Sequence, residues 1–297
     1  MRWRIRTAAN VPVAIAVMLI PLAGHSQVPQ ARPDSAVAAA MREASKLDLE
    51  GNTSQARVIF RKMIDTTTVP ASKAAAQRAM AMSYAFDGDC ANTVKYERPV
   101  MEYWMTREQA EPQNAFYQEG EMANEAARVC IDAGDLAAAE KWYRQGFDYG
   151  VKEPAPKTHP QSLWDFRLAH ALARLAARRG DKVEAQKQIA VARHALDSDS
   201  AMAAQQERFY PYLLGYVALY ENDLPTAEAQ LKKAVSLRGN ERDPFMHCLL
   251  AMVYERMGKT TDANLMYRTA YDMATGHNPP AAFVRPFVRK KLGASIM

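Results

Sequence analysis

The sequence has few of the residues from which compact catalytic and metal sites are built. It contains three cysteines and six histidines among 297 residues, and no two of them are spaced as in Cys-x-x-Cys or His-Glu-x-x-His. It also has no glycine-rich phosphate loop and no Gly-x-Ser-x-Gly nucleophile turn. These absences argue against an enzyme, so we predict no catalytic residue, no metal ligand and no cofactor.

An excess of one sign of charge is also missing. The chain has 38 basic and 33 acidic residues, which gives a net charge of +5. The first 26 positions contain three basic residues, Arg2, Arg4 and Arg6, and no acidic residue. Residues 27–297 therefore carry a net charge of +2. This charge is too small to indicate nucleic-acid binding, and we expect no nucleic-acid partner.

Long apolar runs are absent after the first 26 residues. That segment has a basic start, an apolar stretch at 11–23 and small residues before Gln27, the pattern of a secretory signal peptide cleaved after Ser26. An uncleaved membrane anchor is the alternative, but a 13-residue stretch containing two prolines is shorter than the about 20 residues that span a bilayer. We therefore expect a periplasmic or secreted protein without a membrane span. We prefer a bacterial periplasm to another secretory route.

The strongest positive feature is a repeated turn between alanine-rich amphipathic stretches. Six such turns occur: Glu50-Gly51-Asn52, Asp87-Gly88-Asp89, Ala133-Gly134-Asp135, Arg179-Gly180-Asp181, Glu221-Asn222-Asp223 and Met257-Gly258-Lys259. Glycine and asparagine tolerate the left-handed conformation that ends a helix, and a following Asn or Asp caps the next helix. The turn centres are 37, 46, 46, 42 and 36 residues apart. These spacings indicate helix-pair units near 34 residues with insertions of variable length.

Small residues recur at fixed distances from these turns. Seven residues before the turn centres stand Ala44, Ala81, Ala127, Ala173, Gly215 and Ala251. Five residues after them stand Ala56, Ala139, Ala185, Ala227 and Ala263, with Thr93 as the one departure. Two helices approach closely only where side chains are small, so these positions predict the crossing point of each helix pair.

This arrangement resembles the tetratricopeptide repeat (TPR) family over roughly Asp34 to Gly276. The family's tyrosine four residues before the turn is matched at Tyr84 and Tyr254, and its second-helix aromatic residue at Tyr143. The family's tryptophan near the start of the first helix is missing. The resemblance implies an all-α fold, a right-handed α-solenoid of about six TPR-like helix hairpins with a C-terminal capping helix.

The predicted TPR-like helical repeat domain occupies residues 27–297. Its units have the approximate bounds 34–69, 70–112, 113–159, 160–200, 201–242 and 243–276, and the capping helix is at 279–292. The second helix of the second unit is predicted at 90–98, and the first helix of the fifth unit at 201–220.

The capping helix is rich in positive charge. It carries Arg285, Arg289, Lys290 and Lys291. Because terminal repeats need a polar outer face, we expect these four side chains to be solvated.

The resemblance also implies where a partner binds, since the first helices of TPR units line a concave groove. The corresponding positions predict these partner-binding residues: Asn124, Arg128, Arg167, His170, Arg174, Arg178, Phe209, Tyr212, Tyr216 and Tyr220. Positions 167, 170, 174 and 178 follow steps of three and four residues and so share one helix face. Asp165 lies on another face, so we interpret His170 as a groove residue that contacts ligand or water, not as a catalytic base.

The predicted groove has two chemically different walls. Arg167, Arg174 and Arg178 form a cationic wall, and arginine binds carboxylates through two parallel hydrogen bonds. The tyrosines of the fifth unit form an aromatic wall. The alternatives are a solvated helix face for the arginines and packing between hairpins for the tyrosines.

A protein-binding scaffold is the function that these features predict. Its partner is expected to be a peptide or protein that is acidic or has a free C-terminal carboxylate, and the sequence leaves open whether the groove binds a terminus or an internal segment. The alternative is a carrier of a small ligand or glycan that uses the aromatic residues of the fifth unit.

The cysteines predict one covalent link between units. Cys90 starts a second helix and Cys130 lies near the end of the next first helix. In stacked hairpins these two helix ends lie at the same edge, close enough for the about 4.4–6.8 Å between Cα atoms that a disulfide requires. Cys248 is then left unpaired. The alternative is that all three cysteines are free residues filling helix contacts.

Overall fold

The computed structural model describes residues 35–293, and these residues are all-helical without any strand. The helices are α1 (Ser35–Glu50), α2 (Thr53–Thr66), α3 (Pro70–Ala85), α4 (Cys90–Met105), α5 (Pro112–Ala133), α6 (Leu136–Gly150), α7 (Gln161–Arg179), α8 (Lys182–Ser198), α9 (Ser200–Gln206), α10 (Tyr210–Tyr220), α11 (Leu224–Ser236), α12 (Pro244–Arg256), α13 (Thr260–Met273) and α14 (Pro279–Leu292), with a 3-10 turn at Glu207–Phe209. The predicted signal peptide, residues 1–26, lies outside the described residues.

Consecutive helices pack in pairs, and each pair packs on the next. The turns within the pairs have the predicted left-handed residue, with φ of 89° at Gly134 and 65° at Asn222. Aspartates then cap α4, α6, α8 and α11, as where Asp135 accepts a hydrogen bond from the Ala138 backbone N–H at 3.0 Å. Asn52 makes no such bond at the start of α2, so the expected asparagine cap was wrong. Such a bond satisfies one of the N–H groups that a helix start leaves without a partner.

The small residues do lie where paired helices cross. The alanines seven before and five after the turns are almost completely buried: Ala44, Ala56, Ala81, Ala127, Ala139, Ala173, Ala185, Ala227, Ala251 and Ala263. At Gly215 an added Cβ would lie 2.6 Å from the Leu231 side chain, so only glycine fits. Thr93, the one departure, is accommodated because its hydroxyl donates to the Asp89 carbonyl at 2.8 Å.

The predicted bounds of two helices that contain prolines were wrong. Helix α4 continues through Pro99 to Met105, beyond the predicted end at residue 98. The predicted uninterrupted helix 201–220 is instead divided into α9, the 3-10 turn and α10. Pro211 explains the division, because a proline has no N–H to donate and its ring clashes with the carbonyl four residues earlier.

The C-terminal helix α14 does more than cover the last helix pair. It packs on α12 and α13, and it also contacts α1, α3 and α5 from the first half of the chain. Val284 and Val288 on its inner side are completely buried. The start and end of the helical array are therefore joined through α14.

The predicted solvation of the α14 cations was wrong for two of the four. Arg285 donates to the Leu49 carbonyl at 3.0 Å, and Arg289 donates to the same carbonyl and to the Tyr271 hydroxyl. Lys291 is exposed and pairs with Glu255, and Lys290 is exposed. The two arginines thus provide hydrogen-bond donors for a carbonyl at the C-terminal end of α1. The sequence pattern alone does not place this end near α14.

Cys90 and Cys130 form a disulfide between α4 and α5, with 4.7 Å between their Cα atoms. Cys248 is free and buried. Within residues 35–293, none of the helices combines the length and apolar character that crossing a membrane requires.

Candidate functional site

A cavity of about 390 Å³ lies between α5, α7, α10, α12 and the start of α14. Ligand sites for small molecules typically occupy about 300–1,000 Å³, so the volume suits a small ligand or one end of a larger one. Seven of the ten predicted binding residues line it: Asn124, Arg128, Arg167, His170, Arg174, Phe209 and Tyr212. The predicted residues Arg178, Tyr216 and Tyr220 do not line it.

Arg174 is the most enclosed cation of this cavity. Only 6% of it is exposed, and its guanidinium donates to the hydroxyls of Tyr143 at 3.0 Å and Tyr212 at 3.2 Å. It forms no ion pair with any residue in 35–293. Arginine remains charged in proteins, so a buried positive charge here has only neutral hydrogen-bond partners.

Arg128 adds a second guanidinium to the same cavity. Its guanidinium carbon lies 4.5 Å from the centre of the Phe245 ring, a cation–π contact. Its Nε has no hydrogen-bond partner, and the side chain forms no ion pair in the described part of the chain. In residues 35–293, carboxylates therefore act on the positive charges of Arg128 and Arg174 only through longer-range electrostatics, without forming an ion pair with either.

Asp132 acts electrostatically on both arginines, although it does not line the cavity itself. Burial raises its pKa to about 6, and the charges of Arg128, Arg174 and Arg178 act in the opposite direction. Arg178 lies on the far side of this carboxylate, where it donates to the hydroxyls of Tyr216 at 3.4 Å and Tyr220 at 3.5 Å. These three guanidiniums act electrostatically on Asp132, and Asp243 acts on Arg128 as well, so that two carboxylates offset three positive charges.

His170 lines the same cavity as the two arginines and is neutral at pH 7. Burial, together with the charges of Arg174 and Arg128, lowers its pKa well below the ordinary value. Its Nε2 has no hydrogen-bond partner in the described structure, although only 8% of the residue is exposed. The interpretation of His170 as a groove residue agrees with its place in the cavity wall.

The predicted cationic wall of Arg167, Arg174 and Arg178 does not form. Arg167 is paired with Glu121 and donates to the Tyr117 hydroxyl, so its charge is already compensated. Arg178 does not line the cavity and instead donates to Tyr216 and Tyr220. Arg128, which the sequence pattern assigned to the third unit, takes the place of both beside Arg174.

The predicted aromatic wall is mostly packing. Tyr216 is completely buried, and its ring lies 4.7 Å from that of Tyr220. Of the four predicted aromatic residues only Phe209 and Tyr212 line the cavity. The apolar lining is completed by Phe166, Phe245 and Met246.

Two glutamates of α5 also line the cavity, and each is paired with an arginine. Glu121 is paired with Arg167, and Glu125 with Arg78 at 2.6 Å. Behind them Glu97 is completely buried, and neither of its oxygens has a hydrogen-bond partner in residues 35–293. Burial and the nearby Glu125 raise the pKa of Glu97 well above its ordinary value, and the charge of Arg78 acts in the opposite direction.

Several lining residues were missed by the sequence. Asp243 and Tyr143 come from a loop and a second helix, outside the first-helix positions that the resemblance indicates. Pro279 and Pro280 line the cavity because α14 returns to the groove. The predicted residue Asn124 is partly used in helix packing, because its Oδ1 would lie 2.7 Å from a Cβ at Gly146.

In the part of the chain that the structure describes, no group of three or more His, Cys, Asp or Glu side chains is placed to hold a metal ion. A scan of protein-family models found no match to this chain, and a search of curated proteins found none either.

Proposed function

We propose that the protein is an exported, TPR-like binding protein whose groove ends in a site for the carboxylate of its ligand, and that it performs no catalysis. The single observation that carries the proposal is the pair Arg128 and Arg174, which line one cavity without an ion pair. The order of paired helices supports a right-handed α-solenoid of six hairpins with α14 as its terminal helix. The Cys90–Cys130 bond supports an oxidising compartment.

Energetics favour an anion at this position. A buried charge without a partner is costly, and the cost is relieved when an opposite charge is supplied in hydrogen-bonding geometry. A guanidinium offers parallel N–H groups that match both oxygens of a carboxylate. Because Asp132 and Asp243 together offset two of the three positive charges of Arg128, Arg174 and Arg178, a ligand with one negative charge suits the site.

The volume of the cavity limits what carries that carboxylate. Helix α14 packs against α3 and α5, and Pro279 and Pro280 form part of the cavity wall. About 390 Å³ holds a small acid or the end of a chain, whereas a long internal segment of a partner exceeds this volume. The carboxylate therefore belongs either to the C-terminus of a peptide or protein partner, or to a small carboxylic acid, the carrier alternative. A glycan loses support, since Tyr216 is completely buried and only 5% of Tyr212 is exposed.

Calorimetry with matched ligands tests the proposal. We expect N-acetyl-L-phenylalanine to bind and its C-terminal amide to bind at least tenfold more weakly, since hydrogen bonds to charged groups contribute about 1.5–3 kcal/mol. A short peptide ending in phenylalanine, with free or amidated C-terminus, is compared with 3-phenylpropanoate. Tighter binding of the free peptide identifies a chain end as the source, and tighter binding of phenylpropanoate identifies a small acid.

Two substitutions connect the binding to the site. Arg128→Met should weaken binding by a factor of roughly 10 to 100 and leave the melting temperature equal or higher, because it removes a partly buried charge that has no ion pair in residues 35–293. Arg144→Gln is the matched control, since Arg144 is exposed and pairs with Glu140 within its own helix. Equal binding of acid and amide, unchanged by Arg128→Met, would show that the carboxylate site does not exist.

A further inference from the structure

We propose that a second cleft of the protein, between α3, α5 and α14, binds a small neutral aromatic molecule that donates a hydrogen bond to the carboxylate of Asp132. This α14 cleft has a volume of about 400 Å³, within the range of small-molecule sites. Its walls are the turn after α3, the end of α5 and one side of α14. Of the described residues, Pro279 alone lines both this cleft and the carboxylate cavity, so the two sites are distinct.

The α14 cleft is mainly apolar and partly aromatic. Phe86 and Val129 form one wall, and Phe283, Pro286 and Phe287 of α14 form another. The rings of Phe283 and Phe287 stack with 5.2 Å between their centroids, and both are only half-buried. An aromatic ligand gains from ring–ring contact in addition to the burial of apolar area, so these walls favour an aromatic over an aliphatic molecule.

Asp132 gives the cleft a hydrogen-bond acceptor that the protein itself does not use. Its carboxylate is half-buried and forms neither a hydrogen bond nor an ion pair with any residue in 35–293. The other carboxylate of the cleft, Asp87, is already paired with Arg57 and accepts from the Thr53 hydroxyl at 2.9 Å. A carboxylate that is partly removed from water gains from a donor brought by a ligand.

The charges around Asp132 decide what kind of donor fits. Arg128, Arg174 and Arg178 act electrostatically on its carboxylate, and Lys290 lines the same cleft. These cations would repel an ammonium ligand, and Asp132 itself would repel a carboxylate. The N–H or O–H group of a neutral ring donates to the carboxylate without adding charge, and such a bond is stronger than one between two neutral groups.

Two ligands that differ at one ring atom test the inference on the unmodified protein. Calorimetry would compare indole with benzofuran, in which an oxygen replaces the N–H. Hydrogen bonds to charged groups contribute about 1.5–3 kcal/mol, so we expect benzofuran to bind roughly 10- to 150-fold more weakly. If apolar burial alone held the ligand, the less polar benzofuran would bind at least as tightly as indole. Equal binding of the two would therefore overturn the inference.

Asp132→Ala provides the second arm, because it removes the acceptor and keeps the aromatic walls. In this variant the preference for indole over benzofuran should fall to about one. A general loosening of the cleft would weaken both ligands alike and leave their ratio unchanged. Asp148→Ala, at an exposed position of α6, is the matched control and should keep the full preference. A preference that persists in Asp132→Ala would place the hydrogen bond at another acceptor and overturn the assignment.

N-acetyl-L-tryptophanamide separates a free molecule from the side chain of a partner protein. It carries the same indole ring on a peptide unit, and the apolar walls offer few partners for its two amide groups. We therefore expect indole to bind at least as tightly. Tighter binding of the tryptophan amide would identify a partner's side chain as the occupant and contradict the inference. If neither indole nor benzofuran binds, the inference fails and the carboxylate site is unaffected.

Discussion

His277 Nε2 lies 2.7 Å from Asp48 Oδ2, although 229 residues separate them in the chain. Asp48 is completely buried on α1, and its other oxygen accepts from the Ser83 hydroxyl at 2.7 Å. The His277 ring stacks on Phe86, with 5.5 Å between ring centroids. One buried carboxylate thus joins the first helix, the second hairpin and the segment leading into α14.

Replacing Asp48 should destabilise the fold from both ends. Asp48→Ala leaves the His277 imidazole and the Ser83 hydroxyl without this acceptor, and we expect it to lower the free energy of unfolding by about 2–4 kcal/mol. Urea denaturation measures the change. Asp65→Ala, at an exposed position of α2, is the control and should change stability by less than about 0.5 kcal/mol. A double-mutant cycle with His277→Ala that gives no coupling energy would mean that the contact does not hold the two ends together.

Removal of α14 should loosen the start of the chain as well as its end. A protein truncated after Gly276 exposes the apolar side of α12 and α13, so we expect lower solubility. Because α14 also contacts α1, amide exchange in residues 35–50 should accelerate. Lys290→Ala, at an exposed position of α14, is the control and should change neither property. Faster exchange confined to α12 and α13 would contradict the joining of the two ends.

The parts of the fold that could be predicted from sequence depend on short-range chemistry. Turns were located because glycine or asparagine is needed at a left-handed residue, as at Gly134, and helix crossings because only small side chains fit there. The return of α14 could not be located in this way. Its sequence indicates an apolar face with Val284 and Val288, but many surfaces of the protein could cover such a face.

The site was predictable in position and only partly in chemistry. The first-helix offsets located Arg128, His170 and Arg174, since residues on one helix face point to the same side. They did not reveal that Arg167 pairs with Glu121, 46 residues away, because ion pairing depends on side-chain reach between neighbouring helices. Nor did they separate a packing tyrosine such as Tyr216 from one that lines a cavity.

The Cys90–Cys130 disulfide predicts how many free thiols the protein contains. Denatured, unreduced protein should show one free thiol, from Cys248, and three after reduction. Since the bond spans 40 residues of sequence, we expect Cys90→Ala/Cys130→Ala to lower the free energy of unfolding by about 3–4 kcal/mol. The matched control is Cys248→Ala, which keeps the bond. Three free thiols without reductant would favour the alternative of free cysteines.

Export is tested by determining the N-terminal residue of the protein after expression in a cell that secretes it. We expect mass spectrometry of the mature protein to begin at Gln27, with the basic and apolar segment removed. Replacing Ser26 by a bulky residue, as in Ser26→Trp, should slow cleavage, because signal peptidase sites require small residues. A soluble cytosolic product that retains Arg2, Arg4 and Arg6 would contradict the prediction.

Asp132 should make ligand binding depend on pH. Its pKa is raised to about 6, so between pH 7 and pH 5 it changes from mostly ionised to mostly protonated. Protonation removes a negative charge beside Arg128 and Arg174, and their attraction for a carboxylate then increases. The affinity for N-acetyl-L-phenylalanine, whose own carboxylate stays ionised at pH 5, should therefore rise as the pH falls. If the ligand binds only the protonated form, the gain over these two pH units approaches about tenfold.

The raised pKa of Asp132 also determines whether its contribution to stability rises or falls with pH. The folded state binds this proton more tightly than the unfolded state, whose aspartate pKa is close to the ordinary 3.8. The contribution of Asp132 to stability should therefore rise as the pH falls through 6 and level off below about 4. Asp132→Asn should bind the ligand at pH 7 as tightly as the unmodified protein does at pH 5, with little further change on acidification. An Asp132→Asn protein that keeps the full pH dependence would show that another group is responsible for it.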